Sequence, residues 1–119
     1  MSRYQPIDLG FKKVYFRPDL SLWTEDDLKR IKKGKAPMGV DNNYLSWHHL
    51  ERSNESPVVL VTQTFHTKYD KYLHRERPSD PKKWVNPQEW KYEKRFIWMS
   101  LSKIIESLIP KEIICLAPR

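Results

Sequence analysis

The sequence has 119 residues, a net charge of +7 and a single cysteine, Cys115. This length fits one domain with a modest core, and one cysteine excludes an internal disulfide. No apolar run approaches the roughly 18 to 20 residues needed to cross a bilayer, and the N-terminus has no apolar region typical of a classical signal peptide. The excess of cations favours a polyanionic partner such as nucleic acid.

The N-terminal part of the chain predicts an arm followed by a short helix. Residues 1–23 contain scattered apolar side chains interrupted by Pro18, and we expect a short extended arm packed on the body. Thr24 can cap a helix whose first turn is acidic, and Gly34 can end it. The cations near its end suit a helix C-terminus and are equally candidates for phosphate contacts. They are Arg30, Lys32, Lys33 and Lys35.

A strand, strand, helix pattern follows, and it contains all four histidines. The predicted elements are a tight turn at 41–43, strands over 44–47 and 58–61, and a helix over 63–73. Asn42 and Asn43 tolerate the positive φ of a hairpin turn, and the second strand is rich in β-branched residues. Thr62 is a candidate cap for the helix. The first strand is predicted to end at His48-His49.

The C-terminal part predicts a loop over 75–86 and a long helix. Asn86 at the N-cap, Pro87 at the first position and Glu89 at the third form a strong helix start. The helix is predicted to continue to about Leu108, before Ile109-Pro110. Its apolar stripe is Trp90, Ile97, Leu101, Ile104 and Leu108. Residues 111–119 form a tail that could add a strand.

The histidine cluster suggests a metal site. Adjacent histidines on a strand point to opposite faces, so His48-His49 can place one imidazole on a metal and aim the other at a water. A neutral imidazole with a pKa near the operating pH can deprotonate that water. Asp70 follows His66 at i+4 on the same helix face, whereas His74 lies about 12 Å from His66 along a straight helix. Helical geometry therefore favours Asp70 slightly, unless the helix breaks.

Two other interpretations stay open at this stage. The chain could be a non-catalytic nucleic-acid-binding module with a structural metal, although such sites usually use several cysteines and only Cys115 exists. It could also be an interaction domain whose histidines are structural.

The sequence resembles the LHH family of bacterial toxin nucleases, within the HNH/endonuclease VII superfamily of ββα-metal nucleases. Trp47 stands where the family has leucine, and Asn42-Asn43 stands where the family has an Asp-Gly turn. A basic and aromatic segment, Arg95-Phe96-Ile97-Trp98, is similar to the family's later helix. The other matching stretches are GKAPMGVD at 34–41, WHHL at 47–50, LVTQTFH at 60–66 and YLH at 72–74.

This resemblance implies a role for each histidine. His48 would be a metal ligand, His49 the general base and His66 the second ligand. His74 matches the family's last histidine, so the resemblance favours His74 over Asp70 as the third ligand. The family's loop before that histidine is often longer and contains glycine, whereas residues 67–73 contain none.

The resemblance also implies the activity and the partners. The expected function is metal-dependent endonucleolytic hydrolysis of DNA, with RNA as an alternative substrate and with little sequence specificity. One divalent ion is expected, with Zn, Mg, Ni and Mn as candidates. A toxin or effector of this type would meet an acidic immunity protein and would be cytoplasmic or exported by a dedicated secretion system. The candidate DNA contacts are Arg30, Lys33, Lys35, Lys71, Arg75 and Arg95.

These expectations define an α+β fold in one small domain over residues 1–119. The N-terminal arm and helix occupy 1–33, a ββα-metal core occupies 34–74, and a loop, helix and tail occupy 75–119. The core, a β-hairpin plus a helix, should pack against the N-terminal helix and the long C-terminal helix.

Overall fold

The computed structural model describes residues 4–50, 56–68, 80–83 and 85–108. Its strands are β1 (Gln5–Asp8), β2 (Lys13–Phe16), β3 (Ser46–His49) and β4 (Val58–Val61). Its α-helices are α1 (Glu25–Lys32), α2 (Gln63–Lys68), α3 (Pro87–Ser102) and α4 (Ile105–Leu108), and short 3₁₀ turns lie at Pro18–Leu20 and Pro81–Lys83. None of the helices in these ranges has both the length and the apolar content that crossing a membrane requires.

The four strands form one mixed sheet in the order β1-β2-β4-β3. β1 and β2 are antiparallel, β2 and β4 are parallel, and β4 and β3 are antiparallel. The sequence predicted only an extended arm over residues 1–23, so the β1–β2 hairpin and its place in the sheet were missed. In β2, Val14 and Phe16 are fully buried while Lys13 is exposed. That alternation is typical of a strand, but four residues are too few to identify it alone.

The predicted ββα core is present as β3, β4 and α2. β3 begins at Ser46 and contains both histidines, two residues later than the predicted strand over 44–47. The shift follows from the ladder with β4, because His48 lies opposite Val59 and His49 lies opposite Val58. The remainder of the helix predicted over 63–73 lies outside the described residues.

The predicted helix caps are confirmed in α1 and α2. Thr24 Oγ1 accepts a hydrogen bond from Asp27 N, and the Asp27 carboxylate accepts one from Thr24 N. Asp27 is buried and also accepts from Met38 N at 2.9 Å, which ties α1 to the following loop. Thr62 Oγ1 accepts from Phe65 N at 3.1 Å at the start of α2.

The long helix α3 starts as predicted and ends earlier than predicted. Asn86 Oδ1 accepts hydrogen bonds from Gln88 N and Glu89 N, and Pro87 occupies the first turn. The helix stops at Ser102 because the Ser102 hydroxyl donates to the Met99 carbonyl at 2.6 Å, while Lys103 N turns to the Ser100 carbonyl. The serine hydroxyl takes the carbonyl that the next backbone N–H of the helix would use, and the last turn therefore becomes tighter.

The end of α3 at Ser102 and the new start at Ile105 change which isoleucine packs in the core. Ile105, the first residue of α4, is 4% exposed, whereas Ile104 is 38% exposed. The predicted stripe was therefore wrong at Ile104 and right at Ile97 and Leu101, both of which are fully buried.

The core lies between the sheet and helices α1 and α3. Trp47 of β3 packs on Trp98 of α3 with ring centroids 5.1 Å apart, and Phe16 of β2 packs on Trp23 at 5.6 Å. α1 contacts α3 directly. The α+β fold class is confirmed, with a ββα core against an N-terminal helix and a C-terminal helix.

Candidate active site

His48 and His66 come together from two elements of the ββα core. His48 lies on β3 and is 5% exposed, and His66 lies on α2 and is half-buried. Their ring centroids are 5.3 Å apart, with an angle of 59° between the planes. Because α2 begins directly after β4, and β4 pairs with β3, the chain folds α2 back towards His48. The family resemblance implied that His48 and His66 lie close together as ligands of one metal.

The spacing of these two rings fits two ligands of one metal ion. With metal–nitrogen bonds of about 2.1 Å, two imidazoles on a tetrahedral ion hold their ring centroids roughly 5 Å apart. Neutral imidazole also suits zinc, nickel and other borderline ions. Within the described ranges, no group of three or more His, Cys, Asp or Glu side chains could hold a metal. Both candidates for the third ligand, Asp70 and His74, lie outside those ranges.

His49 projects to the opposite side of β3 and packs against α3. Its ring lies 4.2 Å from the Trp90 ring in an edge arrangement, and the residue is 6% exposed. Its Nε2 atom is buried and has no hydrogen-bond partner among the described residues. Burial lowers the pKa of His49 to about 4, with smaller contributions from the charges of Lys12 and His48. The imidazole is therefore neutral at pH 7, and the predicted pKa near the operating pH was wrong, because burial disfavours the charged form.

An ion pair between a buried lysine and a partly exposed glutamate lies close to His49. The Lys12 side chain is 4% exposed, and its Nζ atom lies 3.0 Å from Glu93 Oε1 on α3 and 3.3 Å from the Ser56 carbonyl oxygen. The sequence did not point to Lys12. Its position depends on the parallel pairing of β2 with β4, which brings residues more than 40 positions apart into contact.

Asp41 fixes the start of the helix that carries His66. Its Oδ2 atom accepts hydrogen bonds from Thr64 N at 2.9 Å and Thr64 Oγ1 at 2.7 Å, and its Oδ1 atom accepts from Asn43 N at 3.1 Å. Loss of hydration would raise the pKa of Asp41, but the hydrogen bonds from Thr64 and Asn43 outweigh it and lower the pKa below its usual value. The sequence predicted the turn at 41–43 but not its contact with α2.

Three predicted phosphate contacts lie close together near α1. Arg30 Nε donates to the Ala36 carbonyl at 2.7 Å, and its guanidinium lies 4.2 Å from the centroid of the Tyr44 ring. Lys33 and Lys35 are exposed beside it.

The remaining predicted contacts are Arg95, Lys71 and Arg75. Arg95 is exposed on α3, with its backbone against Gly34 at the end of α1. Lys71 and Arg75 lie outside the described residues.

Comparison with known families identifies the LHH family. The LHH family model, described as a nuclease of the HNH/ENDO VII superfamily with conserved LHH, matches residues 26–103. This range contains α1 except for its first residue, together with the ββα core and α3, and it leaves out β1, β2 and Lys12. No solved structure matches the chain significantly. The match spans well over half of the sequence, and the chain belongs to the LHH family of HNH/ENDO VII superfamily nucleases.

Proposed function

We propose that this chain is a metal-dependent endonuclease that hydrolyses DNA phosphodiester bonds with little sequence specificity. The observation that carries the proposal is the convergence of His48 and His66 at 5.3 Å on a ββα core. His49 is the next residue of the same strand, and its buried Nε2 atom has no hydrogen-bond partner among the described residues. The family match and the net charge of +7 support a nucleic-acid substrate.

In this proposal His48 and His66 are ligands of one divalent ion. His74 is the favoured third ligand, and Asp70 is the alternative. A bound ion of this kind supplies positive charge beside the scissile phosphate and the departing oxygen. Zn, Mg, Ni and Mn are the candidates, and a pair of imidazoles suits the borderline ions better than Mg, which prefers oxygen ligands.

His49 is the proposed general base. As the oxygen of the attacking water bonds to phosphorus and the P–O bond to the leaving strand breaks, His49 accepts the proton that the water releases. The edge contact with Trp90 fixes the orientation of the ring, since a buried neighbour at 4.2 Å restricts rotation. Trp90 is thus a positioning residue in this scheme.

The cations of the site would neutralise the phosphate backbone. Arg30, Lys33 and Lys35 lie on one side of the molecule, and Arg95 lies on α3 beside the end of α1. Lys71 and Arg75 are further candidates. Contacts to phosphates carry no base information, which agrees with low sequence specificity.

We further propose that residues 1–119 act as one nuclease domain in a bacterial toxin or effector. The partner that neutralises it would be an acidic immunity protein, since a surface of net charge +7 attracts an acidic one. Action in the cytoplasm and export by a dedicated secretion system both fit this role, and RNA is an alternative substrate.

Plasmid cleavage with a panel of divalent ions tests the proposed function. The wild type and His49→Ala are purified identically, so that any contaminating nuclease appears in both. We expect nicking and linearisation by the wild type with at least one ion, and none by His49→Ala. Nicking retained by His49→Ala would refute its role as the base. A wild type that binds metal but cleaves neither DNA nor RNA would support the non-catalytic module.

A further inference from the structure

A groove of about 640 Å³ lies between α1 and the loop that leads to β3. Its lining combines four cations with apolar side chains and also contains Asp26 and Asp27. The Asp27 carboxylate is buried and accepts hydrogen bonds from Thr24 N and Met38 N. Six of the residues that line it are Leu22, Lys29, Arg30, Lys33, Lys35 and Tyr44. A surface that alternates cations with an aromatic ring is typical of proteins that bind single-stranded nucleic acid.

The Tyr44 ring is held in place and is open to solvent. Tyr44 is 50% exposed. The Arg30 guanidinium lies 4.2 Å from its ring centroid, and the hydrogen bond from Arg30 Nε to the Ala36 carbonyl fixes that guanidinium. Arg30 therefore holds the Tyr44 ring in place, so that a nucleobase could stack on the exposed part of the ring with little loss of side-chain entropy.

Tyr44 lies on the same side of the chain as the proposed metal ligand His48. Side chains alternate along an extended chain, so Tyr44, Ser46 and His48 share one side while Trp47 points into the core. Ser46 Oγ lies 3.2 Å from the side chain of Gln63, the first residue of α2, so this side of β3 faces α2. At about 3.3 Å per residue, Tyr44 and His48 are roughly 13 Å apart. A strand cleaved beside His48 would pass within reach of Tyr44.

We propose that this groove binds an unpaired nucleotide of the substrate, with its base stacked on Tyr44 and its phosphates near Lys33 and Lys35. The inference rests on the proposed nuclease function and deepens it by naming the form of the substrate. Bases inside a duplex are already stacked, so an extra stacking partner is available only to a single strand or to an unpaired nucleotide. Stacking accepts every base, which fits low sequence specificity.

The test measures binding by the full chain to a short fluorescent DNA strand and to the same sequence as a duplex. Fluorescence anisotropy is recorded with chelator present, so that no strand is cut. We expect Tyr44→Ala to bind the single strand about 5- to 150-fold more weakly, the range for loss of one stacked base, and to bind the duplex within about twofold of the wild type. Tyr44→Phe keeps the ring and should bind the single strand like the wild type.

Tyr92→Ala is the matched control, because Tyr92 is a similarly exposed tyrosine (59%) on α3 outside this groove. It should leave binding of both forms unchanged, and thermal melting checks that all variants are folded. Equal losses for single strand and duplex, no loss with Tyr44→Ala, or no single-strand binding by the wild type would each overturn the proposal. The binding readout needs no cleavage, so it separates failure of the groove from failure of the nuclease activity.

Discussion

Asp41→Ala is predicted to loosen the helix that carries His66. A helix of the length that the sequence predicts for residues 63–73 is only marginally stable on its own in water, so the contacts of its first turn matter. Its first turn is held by Thr62 and by the two hydrogen bonds from Thr64 to Asp41 Oδ2. Removing the Asp41 carboxylate takes away both of these bonds, leaves the Thr62 cap in place and exposes the Thr64 N–H to solvent.

The size of the effect follows from the bonds that are lost. Each hydrogen bond contributes about 1 kcal/mol net, and less where water can replace it, so the two bonds from Thr64 give about 1 to 2 kcal/mol. This agrees with the effect of deleting a helix cap residue. For a domain of this length the melting temperature should fall by about 3 to 10 °C. Metal affinity should fall by about 10-fold, the lower end for losing a partner that supports a ligand.

Asp8→Ala is the matched control for this prediction. Asp8 Oδ1 accepts from Gly10 N at 2.8 Å, which is the same two-residue turn bond that Asp41 makes with Asn43. The control therefore removes the turn bond without touching α2. Urea and thermal denaturation followed by circular dichroism measure both variants. An Asp41→Ala variant as stable as Asp8→Ala would refute the claim that Asp41 anchors α2.

The same carboxylate predicts a pH dependence. Because the folded protein holds the pKa of Asp41 below its usual value of 3.8, its stabilising contribution is present above about pH 4 and is lost as the pH falls through the folded pKa. The difference in free energy of unfolding between the wild type and Asp41→Ala should be constant from pH 7 to about 5 and shrink below about pH 4. A difference that grows on acidification would contradict the assignment.

Two further variants test the packing around the site. Gly34 has φ +80°, and an added Cβ would lie 2.9 Å from Arg95 Cβ, so Gly34→Ala should lower the free energy of unfolding by about 2 to 4 kcal/mol. Gly10→Ala, at φ +92° with open space around it, should lose only about 1 to 2 kcal/mol in the same urea titration, and equal losses would refute the clash. Lys12→Met should destabilise by about 2 to 3 kcal/mol because it leaves the Glu93 carboxylate unpaired, and adding Glu93→Gln should restore most of that loss. A double variant no more stable than Lys12→Met would contradict this account.

Local signals in the sequence predicted the elements that local chemistry determines. Thr24 and Asn86 are recognisable caps because their side chains bond to backbone only two or three residues away. Val58–Val61 is recognisable as a strand because it is an apolar run in which three of the four residues are β-branched. The meeting of His48 and His66 follows from the short strand, strand, helix order, which leaves few ways to pack.

Long-range pairing explains what the sequence missed. The place of Lys12 close to His49 depends on β2 joining β4 in parallel, and nothing in residues 1–23 specifies that partner. The contact between Asp41 and Thr64 likewise depends on where α2 lies once the sheet has formed. The end of α3 at Ser102 was missed because a serine hydroxyl in a helix can either face solvent or donate to a carbonyl in the preceding turn. The sequence does not show which of the two occurs, and here the hydroxyl donates to the Met99 carbonyl.

The division of His48-His49 into a metal ligand and a general base is tested by measuring metal content and plasmid cleavage on the same preparations. The proteins are the wild type, His48→Ala, His66→Ala and His49→Ala. After equilibrium dialysis against each divalent ion, we expect about one ion per chain in the wild type and in His49→Ala, with cleavage only in the wild type. His48→Ala and His66→Ala should lose both metal and cleavage. Full metal occupancy and cleavage in His48→Ala, or loss of the metal in His49→Ala, would contradict the division of the pair into a ligand and a base.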